Sequence, residues 1–113
     1  MTPDDFHRIA LGLPGAMESA HMGHADFRVA RKVFATLGYP DDGWGMVKLT
    51  PAQQDEFVQE APTSFVPVKG AWGRRGGTNV LLATAGRTIL ERALTLAWRN
   101  VAPKRLAKDF DAS

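Results

Sequence analysis

Between Leu13-Pro14-Gly15 and Thr50-Pro51 the chain alternates short extended runs with turn clusters and leaves no stretch long enough for a helix. This spacing constrains the fold more than any other feature. Ala16 to His21 reads as a short strand, Asp26-Phe27-Arg28-Val29 as a second, Val33 to Leu37 as a third and Trp44 to Leu49 as a fourth. Gly23-His24, Ala30-Arg31-Lys32 and Tyr39-Pro40-Asp41-Asp42-Gly43 supply the turns. Neighbouring parallel strands would need a crossover of a dozen or more residues. None is present, so the last three of these strands form an antiparallel meander. Phe27 and Val29 share one face, opposite Arg28, which gives the sheet an apolar side that helices must cover.

The helices lie on either side of this meander. Thr2-Pro3 and Thr50-Pro51 each pair an N-cap hydroxyl with a proline in the first helical turn. Asp5 and Gln53 stand three residues beyond each threonine, as a capping box requires. Phe6, Ile9, Ala10 and Leu13 recur at helical spacing before Leu13-Pro14-Gly15 stops the first helix, and the second runs from Pro51 to about Glu60 with Phe57 buried. Phe65-Val66-Pro67-Val68 is a short extended piece that Pro67 confines to an edge, because proline has no amide to donate. Thr78 to Ala83 reads as a buried strand. Thr88 to Val101 reads as the last helix, with a wide apolar stripe through Leu90, Leu94 and Trp98. Pro103 ends it, and Lys104-Arg105-Leu106 opens a short basic tail from about residue 103, with a short helical turn as the expected structure there. The expected architecture is α+β: one domain over residues 1–113, with an antiparallel sheet packed by helices.

A chain of 113 residues buries about two-thirds of its extended surface, enough for one core without metal or disulfide staples. There is no cysteine, so disulfides, thiolate metal sites and thiol nucleophiles are excluded. The first residues, Met1-Thr2-Pro3-Asp4-Asp5, lack the basic region of a signal peptide, and no apolar run approaches the length of a membrane span. The expected location is the cytoplasm, with no membrane partner.

The net charge of +2 hides a division. Residues 1–60 carry five Lys and Arg against nine Asp and Glu; residues 61–108 carry nine Lys and Arg against Glu91 alone, a balance of +8. Such asymmetry points to an anionic partner unless the fold interleaves the two halves.

Two basic groups stand out. The segment from Lys69 to Gly77 places four glycines around Trp72, Arg74 and Arg75, which reads as a flexible loop presenting arginines beside one stacking ring. Guanidinium forks suit phosphate oxygens or a guanine edge, and an indole stacks on a base. The plain alternative buries Trp72 against the sheet and leaves the arginines in water. The glycine spacing matches no nucleotide-binding fingerprint. The second group, Lys104, Arg105 and Lys108, follows a helix end, where the helix dipole alone favours cations. Whether the two groups share a face is left open by the sequence.

Chemistry beyond binding is sparse. His21, His24 and Asp26 resemble the beginnings of a metal site, but two imidazoles and a carboxylate at this spacing are a weak signal, and no metal or other cofactor is assigned. Ser19, Ser64 and Ser113 sit in no nucleophile motif, and Asp41-Asp42 lies in a turn where solvated aspartates need no catalytic role. No catalytic residue is assigned.

Several runs, taken together, resemble the MmcQ/YjbR family: Leu13-Pro14-Gly15, His21-Met22-Gly23-His24-Ala25-Asp26-Phe27-Arg28-Val29, Lys32-Val33-Phe34-Ala35-Thr36-Leu37, Lys48-Leu49-Thr50-Pro51, Gly73-Arg74-Arg75-Gly76 and Ala102-Pro103-Lys104-Arg105-Leu106. In order and spacing they cover nearly the whole chain. The resemblance implies a compact antiparallel sheet with helices, described in this family as a double-wing arrangement and likened to DNA-binding folds. Gly77 departs from many relatives, which carry a bulkier residue there; the extra glycine is expected to loosen the arginine loop.

Charge and resemblance together lead to a non-enzymatic DNA-binding protein. Lys69, Arg74, Arg75, Lys104, Arg105 and Lys108 would contact phosphates, Lys48 would be peripheral, and Trp72 would support the loop or stack. The main alternative is a binding module for a protein or a small anionic ligand, with His24, Asp26 and Arg28 on a pocket wall; a histidine-dependent enzyme is more remote. A concave enclosure favours the small ligand, and a broad convex stripe of charge favours duplex DNA.

Overall fold

The computed structural model describes residues 1–21 and 23–112, without the side chain of His21. The readings placed on the His21 imidazole and on Ser113 lie outside the described residues. The element order is α1 (Pro3–Leu11), β1 (Met17–His21), β2 (His24–Val29), β3 (Lys32–Leu37), β4 (Trp44–Lys48), α2 (Pro51–Glu60), β5 (Phe65–Pro67), α3 (Ala71–Arg74), β6 (Gly77–Leu81), α4 (Arg87–Val101) and α5 (Lys104–Ala112).

Local chemistry starts both early helices where expected. Thr2 Oγ1 accepts from the Asp5 amide at 3.2 Å while Asp5 accepts from the Thr2 amide at 2.8 Å, and Thr50 and Gln53 repeat the exchange. The β2–β3 turn is tight: Ala30 and Arg31 both have positive φ, 50° and 70°, the geometry that matches the twist of a two-residue hairpin.

All six strands form one sheet in the order β1-β2-β3-β4-β6-β5, and every neighbouring pair is antiparallel. The meander is the first four strands, and β6 enters between β4 and the short edge strand β5. Because side chains alternate along a strand, the register sorts residues into rows across the sheet. One row runs Phe27, Ala35, Val47 and Thr78, all fully buried. The next row on the opposite face runs Ser19, Asp26, Thr36, Met46, Asn79 and Val66. Between Phe27 and Arg28 the register slips, which lets Phe34 and Ala35 both enter the core and turns Val33 to the other face.

The helices α1, α2 and α4 lie on the first of these faces. Phe6 of α1 lies on the backbone of Gly45, where a Cβ would meet the ring at 2.7 Å. The α4 helix crosses β3 and β4 with Leu90, Ala93, Leu94, Ala97 and Trp98 buried. Phe57 of α2 stacks on Phe65, ring centroids 5.1 Å apart. The basic tail is a correction: residues 104–112 form a nine-residue helix. Its Phe110 ring lies 5.2 Å from that of Trp98, and Leu106 sits against Gly15. Trp98 in turn donates to the Pro14 carbonyl at 2.8 Å. An amphipathic helix follows Pro103 because the apolar faces of Leu106 and Phe110 find a partner that sequence spacing does not reveal. No helix among the described residues is long and apolar enough to cross a membrane.

Candidate functional site

The sheet face opposite α1, α2 and α4 is concave and forms a groove of about 900 Å³. Its floor is the row of Thr36, Met46 and Asn79, flanked by Val33. Tyr39, Pro40, Trp44 and His24 close one end. Val66, Pro67, Val68, Lys69 and Trp72 make the wall beyond β6, and Lys48 stands at the end of β4 opposite Trp44. Trp44, Met46 and Lys48 alternate with buried Gly45 and Val47. Alternation in the sequence puts Trp44 and Met46 on one side of the strand but does not show that this side lies away from the core. Nor does it show the six-strand pairing that makes their surface concave.

His24, Asp26 and Arg28 share this groove, since they alternate along β2. Asp26 is almost fully buried and receives two charge-assisted bonds from Arg28, Nε at 2.9 Å and Nη2 at 3.0 Å. The same bonds raise the Arg28 guanidinium further above its ordinary range. The charge of this acid is paired within the protein. His24 lies over Gly38 and against Tyr39, with ring centroids 4.3 Å apart. Among the described residues no cluster of three metal-ligating side chains occurs.

Lys48 lines one end of the groove, beside Trp72. Its ammonium lies 5.0 Å from the centre of the Trp72 ring, a cation–π contact. Burial pulls the amine below the ordinary lysine value. Its backbone is held from below by Asn100, which donates to the Lys48 carbonyl at 3.0 Å and to Gln53 at 2.8 Å. Lys69 is exposed on the adjoining rim.

The glycine-rich segment is not a flexible loop. It contains the single-turn helix α3, and Gly73, Gly76 and Gly77 are buried. A Cβ on Gly73 would overlap the Val68 carbonyl, and one on Gly76 would overlap the Leu49 carbonyl. Gln54, itself buried, donates to the carbonyls of Gly73 and Gly77, both at 2.9 Å. Gly77 packs on the Trp72 carbonyl, so it tightens the segment where loosening was expected. These glycines serve close backbone approach, which sequence cannot distinguish from conformational freedom. Trp72 is 55% exposed and faces the groove instead of entering the core.

The basic half is partly interleaved with the acidic half. Arg92 pairs with Glu60 at 2.8 Å and Arg87 with Asp5 at 4.0 Å across the halves, while Arg87 with Glu91 at 3.6 Å and Arg99 with Asp111 at 2.6 Å pair within the C-terminal half. Arg74, Arg75, Lys104, Arg105 and Lys108 are exposed, and among the described residues they make no ion pair. None of these five lines the groove. Arg74 and Arg75 end α3 beside the sheet, whereas Lys104, Arg105 and Lys108 belong to α5, which packs on the helical layer.

Comparison with known families matches YjbR over residues 11–100. The chain belongs to the YjbR family. The match takes in the meander, the groove and nearly all of α4, and so covers the motifs of the MmcQ/YjbR resemblance up to Gly76 but not Ala102 to Leu106. Among solved structures, the YjbR chain is similar to the crystal structure of Deinococcus radiodurans protein DR2400, described as a DUF419 domain. The likeness has a TM-score of 0.76 at 21% identity, over 96% of this chain and 86% of that one, and it establishes the α+β fold. No curated protein matches.

Proposed function

We propose that this YjbR-family protein is a binding module whose open sheet face takes an anionic ligand with an apolar or aromatic body. One observation carries the reading. Lys48 and Lys69 rim a groove walled largely by apolar and aromatic side chains, while the charge of its one acidic lining residue, Asp26, is already paired with Arg28. Concavity of this size suits a small molecule, with a few charged groups fixing its orientation. A titration with 1-anilinonaphthalene-8-sulfonate, followed by its fluorescence, tests the reading. Saturable binding should weaken by about tenfold in a Lys48→Met, Lys69→Met double variant, the scale of one charge-assisted contact. Binding of the uncharged analogue N-phenyl-1-naphthylamine should change little. Loss of both probes alike, or of neither, would sink the proposal.

Duplex DNA is the second reading, and it rests on Arg74, Arg75, Lys104, Arg105 and Lys108, exposed cations without acidic partners. Anisotropy of labelled duplex at low and moderate salt addresses it. Binding through these residues should weaken with salt and fall when Arg74 and Arg75 are both replaced by alanine. Indifference to that double change would remove the second reading and leave the groove untouched.

A further inference from the structure

The groove carries polar groups in an arrangement that a merely apolar ligand would waste. In mid-floor, Thr36 and Asn79 stand on either side of Met46 in one row across the sheet. Both are half-buried, and among the described residues neither the Thr36 hydroxyl nor the Asn79 carboxamide bonds to another protein group. A hydrocarbon chain laid over this row would strip water from both without replacing it, at a cost comparable to a lost hydrogen bond each. The occupant therefore has donors and acceptors in its middle.

Its two ends differ. Trp44 and Tyr39 offer aromatic surface at one end, with the His24 ring tilted against that of Tyr39. Lys48 and Lys69 offer positive charge at the other, beside the Trp72 ring. Trp44 and Lys48 are four residues apart on one strand, so their α-carbons are separated by roughly 13 Å. A planar ring, a hydrogen-bonding middle and an anionic terminus in that order fill such a span.

Resting on the anion-binding reading above, we propose that the ligand is a nucleotide unit: a nucleobase against Trp44 and Tyr39, its edge or its ribose over Asn79 and Thr36, and its phosphate at Lys48 and Lys69. Asn side chains read base edges by paired donor and acceptor, and stacking on aromatic rings tolerates any base. A free nucleotide and a single-stranded segment present the same unit.

Isothermal titration with adenosine 5′-monophosphate, a single-stranded octa-adenylate and an adenine-thymine duplex tests the proposal and separates the sources. The expected result is binding of the monophosphate that falls about tenfold in Thr36→Val and in Asn79→Leu, while anilinonaphthalene sulfonate, whose rings gain apolar floor, binds both variants at least as tightly as the parent. Thr36→Val is isosteric and preserves the strand, so a misfolded Asn79→Leu would not leave the question open. Octa-adenylate binding at least tenfold tighter than the monophosphate assigns the site to single strands; equal affinity assigns it to the free nucleotide. Sulfonate binding without any binding of the monophosphate or the octamer overturns the nucleotide and leaves the anionic ligand standing. Preference for the duplex overturns it too. If neither sulfonate nor nucleotide binds, both readings fall.

Discussion

Replacing Gly73 by alanine probes whether the wall of the groove is a packed structure or a hinge. The added methyl would overlap the Val68 carbonyl, a backbone atom that cannot rotate away. Relief requires α3 and the Val68 segment to part, which also strains the bond from Gln54 Nε2 to the Gly73 carbonyl. Overpacking costs about 1–3 kcal/mol, and weakening a buried hydrogen bond adds about 1 kcal/mol. A loss of about 3 kcal/mol is therefore expected. With an unfolding entropy near 2.1 cal/mol/K per residue, 113 residues give about 0.24 kcal/mol/K, and the midpoint should fall by about 12 °C. Calorimetry of Gly73→Ala beside Gly86→Ala provides the comparison, because a Cβ at Gly86 meets nothing within 4 Å. The Gly86 change should cost less than about 1 kcal/mol, the scale of one helix cap. Equal stability of Gly73→Ala and the parent would refute the close-packing account and restore a flexible segment.

Other perturbations reach the sheet, the ends and the surface. Arg28→Met leaves the Asp26 carboxylate, 5% exposed, without its partner, and should cost about 2–3 kcal/mol in urea unfolding; Asp26→Leu combined with Arg28→Met should recover most of it. A double variant no better than the single would contradict this. Hydrogen bonds from Thr2, Arg92 and Arg99 lower the Asp5, Glu60 and Asp111 carboxyls below their ordinary values of 3.8, 4.5 and 3.8. Depressed folded-state values mean that their contribution is complete above that range and is lost as pH falls through the lower folded values, so acid titration of stability should steepen below about pH 4.5. Neutralising all three residues should flatten that slope. Changing Ala30-Arg31 to Asn-Gly should stabilise the protein by about 1 kcal/mol, since both positions already have positive φ; an unchanged midpoint would count against the turn assignment. Phe110→Ala should free α5, because nine residues do not hold a helix alone. Amides 104–112 should then exchange rapidly while the sheet stays protected.

The local pieces follow from chemistry acting along a few residues. Threonine, proline and an acid or amide at fixed spacing specify α1 and α2, because the bonds that start a helix are made within four residues. Turn residues without an intervening helix dictate the antiparallel meander, and period-two alternation puts Phe27 and Val29 on one face, opposite Arg28. The family resemblance was legible for the same reason: its motifs are contiguous runs. Only tertiary structure decided what these pieces face. That β6 inserts beside β4 brings Asn79 into the row of Met46 and Thr36, a relation across more than thirty residues that no local preference encodes. The glycines of residues 70–77 look permissive in sequence, yet Val68, Leu49 and Gln54 press on them from other elements. Charge counting likewise finds a basic half, but which cations remain without an acid depends on where Glu60, Asp5 and Asp111 come to lie. Hydrogen bonds and turns act over a few residues, whereas burial and pairing act over distances that only the folded chain defines.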